Sequence, residues 1–261
     1  MNMLILQKSG DLEIPIIFHC NLNCNYCAHM SQFMSQVPIV SVSTIEKQCQ
    51  DWCNKILPKI VRIMGGEPLL HPNLEEIVHL VYKYWHPIPI KIATNGMLLD
   101  KMSTSFFDFI RKTTITLRIT LHDLSFKDDL EYFLSQIQCN YVIINKSGNK
   151  RFIKYYNITD TYNNLTLPYS NSSKAVSICQ QIRRCHTLMD NQLYHCGLLA
   201  YRTKAYQYNI IKDKRILDYQ PGLVDMTDIE LNEWYNNDFT SVCTMCPEYY
   251  EYNQHKFNKQ D

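Results

Sequence analysis

The chain has few glycines, no long apolar run and almost no net charge. Glycine occurs 7 times in 261 residues, and the formal net charge at pH 7 is +1. No apolar run approaches the roughly 18–20 residues that a membrane-spanning helix needs. The N-terminus lacks the basic start and the small-residue cleavage site of a secretory signal. We therefore expect a cytoplasmic globular protein with neither a membrane nor a nucleic-acid partner.

Cysteine, by contrast, is abundant. The chain has 11 cysteines, and without a secretion signal so many thiols indicate metal binding in a reducing compartment instead of a disulfide framework. Cys49 and Cys53 lie four residues apart on a predicted helix and share one face. Because a free buried cysteine packs as a small hydrophobic residue, we assign these two and Cys139 to the core. The other cysteines concentrate near the two ends of the sequence.

Cys20, Cys24 and Cys27 form an N-terminal triad with the spacing C-x3-C-x2-C. A closed structural zinc or iron–sulfur site normally takes four protein ligands. Three thiolates leave one metal position open to a small molecule, and open positions are where metal sites carry out chemistry. A zinc site completed by His19 or His29 is the alternative interpretation.

The triad, with Tyr26 immediately before its last cysteine, resembles the cluster loop of radical S-adenosylmethionine (SAM) enzymes. The resemblance implies that the three cysteines hold a [4Fe–4S] cluster whose fourth iron is chelated by SAM. In that superfamily an electron from the reduced cluster cleaves SAM to methionine and a 5′-deoxyadenosyl radical, which removes a hydrogen atom from the substrate. It also implies a flavodoxin- or ferredoxin-like electron donor.

Two strand-to-turn motifs downstream strengthen the resemblance. Residues 60–64 form an apolar run that ends at Gly65-Gly66-Glu67-Pro68, and residues 90–93 form another that ends at Thr94-Asn95-Gly96. Each run is predicted to be a buried strand that enters a glycine-containing turn before a helix. We expect glycines there because a strand end that approaches a ligand closely leaves little room for a side chain. These turns resemble the family's contacts with the methionyl and ribose parts of SAM.

Strand and helix patterns alternate over the first 156 residues. This alternation implies a parallel sheet with right-handed crossovers. We predict an α/β fold with a partial (β/α)6 barrel over residues 1–160, whose sixth strand lies at 152–156. A linker and a small C-terminal auxiliary-cluster region are expected over residues 161–261. Ligands of parallel α/β folds bind beyond the carboxyl ends of the strands, so the three motif loops should converge on one rim.

Polar residues alternate along the predicted fourth strand. Arg118, Thr120 and His122 occupy every second position, so their side chains share one face. Because the strands of a parallel barrel are mostly apolar, this face indicates a cavity that contains SAM or substrate; an outward face covered by helices is the alternative. We take Arg118 and His122 as candidate catalytic residues. The candidate cofactor-binding residues are Tyr26, Gly65, Gly66, Glu67, Pro68, Thr94, Asn95, Thr120 and, at the end of the fifth strand, Asn145.

A second metal site is predicted from four C-terminal cysteines: Cys185, Cys196, Cys243 and Cys246. Asp190-Asn191 predicts a hairpin that brings the first two together, and the last two have the bidentate spacing C-x2-C. Four thiolates suit either zinc or a four-iron cluster. The arrangement resembles the twitch extension of some radical SAM enzymes, which implies one auxiliary [4Fe–4S] cluster because no cysteine follows Cys246. Cys179, six residues before Cys185, is the alternative ligand.

The sequence therefore predicts a radical SAM enzyme that abstracts a hydrogen atom from a small molecule, such as a sugar or sugar nucleotide, in an oxidation or an epimerisation. Only 19 residues precede Cys20, fewer than the N-terminal peptide-binding domain of many peptide-modifying relatives requires. Two alternatives remain. One is a radical SAM maturase that modifies a ribosomal peptide or a protein side chain, and the other is a non-catalytic, metal-stabilised binding protein.

Overall fold

The computed structural model describes residues 3–6, 10–145, 151–158, 165–179, 184–249, 252–254 and 257–259. Within these residues lie sixteen strands: β1 (Leu4–Ile5), β2 (Asp11–Ile17), β3 (Leu22–Cys24), β4 (Ile56–Leu57), β5 (Ile60–Gly65), β6 (Ile90–Thr94), β7 (Thr116–Leu121), β8 (Tyr141–Asn145), β9 (Arg151–Ile153), β10 (Asn157–Ile158), β11 (Leu165–Thr166), β12 (Cys185–Met189), β13 (Gln192–Tyr194), β14 (Gly222–Leu223), β15 (Tyr252–Gln254) and β16 (Phe257–Lys259).

The same residues contain seven α-helices: α1 (Val42–Trp52), α2 (Leu74–Trp85), α3 (Thr104–Arg111), α4 (Lys127–Ile137), α5 (Ser172–Ile178), α6 (Gly197–Gln207) and α7 (Asp228–Asn236). In helix α2 the apolar residues recur with the spacing that predicts one buried helix face. Leu74, Ile77, Val78 and Val81 recur with helical spacing, and all four are buried in the main core. Among the residues that the structure describes, no helix has the length and apolar character needed to cross a membrane.

The centre of the molecule is an eight-stranded sheet with the strand order β14-β13-β12-β2-β5-β6-β7-β8. The six strands from β12 to β8 run parallel to their neighbours, while β13 and β14 are joined by antiparallel pairing. An α-helix, α1 to α4 in turn, lies in the sequence between each pair of neighbouring strands from β2 to β8, as βαβ units require. The predicted α/β fold, a partial (β/α)6 barrel, is confirmed.

The sixth parallel strand lies elsewhere than predicted. Strand β9 pairs antiparallel with β15 outside the main sheet, whereas β12 joins the sheet by parallel pairing with β2. The predicted hairpin at Asp190-Asn191 is confirmed, because Met189 pairs with Gln192 and both turn residues have positive φ. Short apolar runs such as 152–156 satisfy a strand pattern locally, but their sheet partners are chosen by contacts far along the chain.

A second core lies on the side of the cysteine triad. It contains Phe18 and Met30 from the N-terminal loop region together with Tyr201, Val242 and Met245 from the C-terminal part. The hydrophobic surfaces of the two parts are therefore buried against each other. Strands β12, β13 and β14 also come from the C-terminal part and continue the main sheet. This arrangement fixes the position of the C-terminal cysteines relative to the sheet.

Candidate active site

A cavity of about 470 Å³ follows the inner face of the sheet. One end is formed by the cysteine triad and by the loops that follow β5, β6 and β7. The cavity then extends toward Asp11 and Cys185, which begin β2 and β12. The motif loops thus converge on one rim, as the parallel topology predicted.

The three thiols of the triad line the same end of the cavity. Burial raises the pKa of Cys20 to about 12 and the pKa of Cys24 further still, and the neighbouring thiols act in the same direction. Ionised thiolates at these positions therefore need a cation among them, which fits a metal cluster. Within the described residues, no three metal-binding side chains converge on a point as ligands of a single ion. A four-iron cluster imposes no such convergence, because its cysteines bind different irons.

The loop between Cys24 and Cys27 is a tight backbone turn. The Cys27 N–H donates to the Cys24 carbonyl (3.2 Å), and the Met30 N–H donates to the Cys27 carbonyl (2.8 Å). Tyr26 lies between the cysteines with φ of 60°, a left-handed conformation that costs free energy for a residue with a Cβ. Its ring packs against Tyr156 with 5.7 Å between centroids. This packing holds the strained turn in place.

Gly65 and Gly66 bring the end of β5 against the start of the cysteine loop. The Gly66 N–H donates to the Ile17 carbonyl (2.8 Å), and the Glu67 N–H donates to the His19 carbonyl (3.0 Å). A Cβ on Gly66 would lie 1.9 Å from the His19 carbonyl oxygen, and one on Gly65 would lie 2.0 Å from the Ile17 oxygen. Both positions therefore require glycine because the backbone at Ile17 and His19 lies so close. The sequence pattern alone predicts the close approach of a ligand as the reason.

Glu67 ties the loops after β5 and β6 together. Its Oε1 accepts hydrogen bonds from the Thr94 hydroxyl (2.7 Å) and the Leu69 N–H (3.0 Å), and its Oε2 accepts one from the Asn95 N–H (2.7 Å). A carboxylate has about four acceptor sites, so most of this capacity is used within the protein. Burial raises the pKa of Glu67 to about 7, although the three hydrogen bonds act in the opposite direction.

Asn95 connects this network to the triad. Its Nδ2 donates to Asn21 Oδ1 (2.7 Å) and lies 3.8 Å from the Cys20 sulfur. Its Oδ1 accepts from the Met97 N–H (3.0 Å). A single side chain therefore positions the β6 loop relative to the first cysteine. The sequence predicts that Asn95 contacts SAM. In the structure its side chain contacts the cysteine loop at Cys20 and Asn21.

His29, one of the two histidines considered as a zinc ligand, is engaged within the protein. Its Nδ1 donates to the Gly65 carbonyl (2.9 Å), and its ring stacks on Tyr201 with 4.3 Å between centroids. Burial lowers the pKa of His29 to about 4, so the ring is neutral. These contacts give His29 a packing role beside the triad.

The predicted polar face of the fourth strand, now β7, lines the cavity. Arg118, Thr120 and His122 all contribute to its wall and are half-buried. The alternative of an outward face is wrong. Within the described part of the chain, Arg118 forms no ion pair with a carboxylate. Asn145 ends β8 beside Leu121, and its side chain lies outside the described part of the structure.

A charged cluster that was not predicted from the sequence lies deeper in the cavity. Arg62 forms ion pairs with Asp11 and with Glu13, the latter at 3.1 Å. The Thr187 hydroxyl donates to Glu13 Oε2 (3.3 Å), and burial raises the pKa of Glu13. Asp11 and Glu13 alternate along β2 just as Arg118 and Thr120 alternate along β7, so the same period of two was available as a signal.

The predicted second metal site requires a correction at Cys185. Its thiol lines the main cavity beside Arg62 and Glu13, and burial raises its pKa to about 12. The reason is register: Cys185 pairs with Asp11 at the start of β12, so its side chain shares the inner face of the sheet. Cys196, although close along the hairpin, has left the strand and precedes α6. The hairpin therefore separates these two thiols.

A different set of four cysteines lines a second, smaller cavity: Cys179, Cys196, Cys243 and Cys246. Burial raises the pKa of Cys243 to about 12 and that of Cys196 well above its usual range, and each thiol is affected electrostatically by its neighbours. Cys179 ends α5, which packs against the turn Thr240–Met245. This contact brings the alternative ligand beside the C-x2-C pair. These four thiols, of which Cys196 is buried and the other three are half-buried, form a donor set that fits a four-iron cluster, whose cysteines bind different irons.

Comparison with known proteins agrees with the motifs. Residues 14–145 match the family model of the radical SAM superfamily. GTP 3′,8-cyclase of Aliarcobacter butzleri (strain RM4018) is 32% identical over 140 residues, which make up 51% of this chain and 43% of that protein. The chain thus spans less than half the length of that relative.

Two solved structures share the fold over most of the chain. BtrN, in complex with AdoMet and 2-DOIA, has 16% identity and a TM-score of 0.50 over 93% of this chain and 88% of that one. Native anSMEcpe, with bound AdoMet and Kp18Cys peptide, has 14% identity and a TM-score of 0.51 over 86% and 82%. The chain belongs to the radical SAM superfamily, and it is an enzyme whose cofactors are a [4Fe–4S] cluster and SAM.

Proposed function

We propose that Cys20, Cys24 and Cys27 hold the [4Fe–4S] cluster and that SAM binds in the adjoining end of the main cavity. The observation that carries this proposal is that the three thiols and the two motif turns after β5 and β6, distant in sequence, line one cavity. When bound, the two cofactors supply a 5′-deoxyadenosyl radical that abstracts a hydrogen atom from the substrate. The strands of the surrounding sheet line the cavity and position the substrate.

The residues of the rim are assigned to different parts of SAM. We propose that Gly65, Gly66, Glu67 and Pro68 position the methionyl end, and that Tyr26, Thr94 and Asn95 position the nucleoside. Thr120 and Asn145 are further proposed contacts. Since Glu67 already accepts three hydrogen bonds, we propose that it acts mainly by holding the β5 and β6 loops in position. The backbone of those loops is then left to contact the cofactor.

For the substrate we propose a polar small molecule. The cavity volume of about 470 Å³ has to contain both SAM and the substrate, and it lies at the lower end of the roughly 300–1,000 Å³ of small-molecule sites, which favours a small substrate. The cavity wall carries the candidate catalytic residues, His122 at the rim and Arg118 on β7, and the charged cluster around Arg62 lies deeper. A half-buried guanidinium without a carboxylate partner favours a phosphate or carboxylate group on the substrate, as in a sugar nucleotide. The A. butzleri relative is likewise named for a nucleotide, GTP.

A peptide or protein substrate is the second candidate. The anSMEcpe structure contains a peptide, and BtrN contains 2-DOIA. Both share this fold, so the fold alone does not choose between the two classes. The charged lining of the cavity is the observation that favours a small polar molecule. We propose a flavodoxin- or ferredoxin-like protein as the electron donor.

We further propose that residues 161–261, apart from the strands β12, β13 and β14 that belong to the main sheet, form a linker and an auxiliary-cluster region in which Cys179, Cys196, Cys243 and Cys246 hold a second [4Fe–4S] cluster. The supporting observation is that these four thiols share one cavity. Zinc is the alternative occupant for the same donors. In an oxidation, a second cluster would accept the electron that the substrate radical gives up. In an epimerisation no such acceptor is required.

The catalytic proposal is tested by SAM cleavage. The full chain is reconstituted anaerobically with iron and sulfide, incubated with SAM and dithionite, and assayed for 5′-deoxyadenosine. We expect product from the unmodified protein and from Cys53→Ser, whose thiol lies outside the cavity, and none from Cys24→Ser. Equal product from Cys24→Ser would contradict the assignment of the triad.

A further inference from the structure

Arg202 is a fully buried cation beside the second group of cysteines. It lies on α6 with 2% of its surface exposed. Its Nη1 donates to the Cys246 sulfur (3.1 Å), and its Nη2 donates to the Tyr155 carbonyl (3.1 Å). The guanidinium therefore spans from the C-x2-C pair to the segment that follows β9.

Among the described residues, no carboxylate forms an ion pair with Arg202. The carboxylate of Asp213 interacts with Arg202 only at a distance, because it is paired with Arg215. A neutral thiol and a carbonyl offer only dipoles, and burying an uncompensated cation is costly. The site would be balanced if its cysteines carried negative charge. Four thiolates on a metal centre provide that charge.

We propose that Arg202 is a positioning residue that compensates the charge of the auxiliary cluster and raises its reduction potential. This inference rests on the proposed cluster at Cys179, Cys196, Cys243 and Cys246. Such a cluster is anionic, and reduction adds one more electron. A buried cation in contact with a ligand sulfur stabilises the reduced form more than the oxidised form. Net charge and hydrogen bonds to sulfur are among the factors that set iron–sulfur potentials.

The second hydrogen bond of Arg202 joins this site to the triad. Tyr155 supplies the acceptor carbonyl, and the next residue, Tyr156, packs on Tyr26 of the cysteine loop. The Tyr156 hydroxyl also accepts a hydrogen bond from Gln32 (3.4 Å). A short, packed segment thus connects Arg202 to the turn that carries the triad. Arg202 thus contacts one proposed metal centre directly and the surroundings of the other only through this segment.

The test is a potentiometric titration of the reconstituted full chain, monitored by electron paramagnetic resonance. We compare the unmodified protein with Arg202→Gln, which removes the charge, and Arg202→Lys, which keeps it. Lys204→Gln is the control. It also removes a positive charge from α6, but Lys204 forms an ion pair with Asp190, and no contact with the four cysteines is shown for it within the described residues. For Arg202→Gln we expect the second cluster to be at least tenfold harder to reduce, a shift of about 59 mV to lower potential. Arg202→Lys should fall in between, and the triad's cluster should be unchanged.

Counting iron, sulfide and zinc in the same samples distinguishes a failure of the proposed auxiliary cluster from a failure of the role proposed for Arg202. One cluster plus zinc in the unmodified protein would refute the auxiliary cluster itself and, with it, the role of Arg202. Two clusters with the same potentials in Arg202→Gln would overturn the inference while leaving the cluster in place. If Arg202→Gln fails to assemble the second cluster, Arg202→Lys must retain it. Loss in both folded variants would contradict charge compensation.

Discussion

Because Cys179 and Cys185 lie in different cavities although they are only six residues apart, we predict that replacing them has opposite effects on the second cluster. Cys179 shares a cavity with Cys196, Cys243 and Cys246, whereas Cys185 faces Arg62 in the main cavity. Each [4Fe–4S] cluster contributes about four irons per chain, so the reconstituted protein should hold about eight. We expect Cys179→Ser to fall to about four, because a closed site loses one of its thiolates. Cys185→Ser should keep about eight.

The assay is iron and sulfide counting after anaerobic reconstitution, with the visible absorption of the clusters as a second readout. Serine replaces the sulfur with a group of similar shape, so packing is nearly preserved in both variants. Cys53→Ser, at the end of α1, controls for the loss of any thiol. The reasoning is refuted if Cys185→Ser loses half of its iron while Cys179→Ser retains the full amount. That result would restore the ligand set suggested by sequence spacing.

Three further predictions concern the main cavity. Gly66→Ala should lower the melting temperature and abolish SAM cleavage, because the added Cβ would lie 1.9 Å from the His19 carbonyl; an unchanged melting curve would contradict the close approach. Arg62→Met leaves two buried carboxylates without their ion-pair partner, so urea titration should show a loss of about 3 kcal/mol in the free energy of unfolding, and an unchanged value would show that the pairs are not stabilising. The pKa of Glu67 is raised from 4.5 to about 7, so the folded state binds a proton that the unfolded state releases; its contribution to stability is complete below pH 4.5 and lost as the pH rises through 7. Glu67→Gln should flatten this dependence in urea titrations of the apoprotein between those values, and an identical pH profile would contradict the shift.

Much of the fold could be predicted because its signals are local. The strands before Gly65 and Thr94 are short apolar runs that end in glycine-containing turns, and the structure contains them as β5 and β6. The polar alternation at Arg118 and Thr120 correctly indicated a cavity-facing wall. A period of two depends only on the pleat of the strand itself. Such features can be predicted from a single segment of sequence.

The errors arise where distant segments decide the outcome. The side chain of Cys185 faces the main cavity because β12 pairs with β2, about 170 residues away in sequence, and local spacing holds no information about that partner. Cys179 joins the other thiols only because α5 packs on the turn Thr240–Met245. Arg202 is an ordinary helix residue by its pattern, and only its burial against Cys246 gives it significance.

The central claim is that the triad leaves one iron of its cluster open for SAM. The electron paramagnetic resonance spectrum of the reduced N-terminal cluster tests this claim most directly. In a Cys196→Ser variant, designed to lack the second cluster, the triad's cluster can be observed alone. The account predicts that SAM changes its electron paramagnetic resonance spectrum, and that SAM labelled with ¹⁷O or ¹⁵N in its amino acid part gives a hyperfine coupling to the cluster. An unchanged spectrum without coupling, on protein with about four irons per chain, would contradict it.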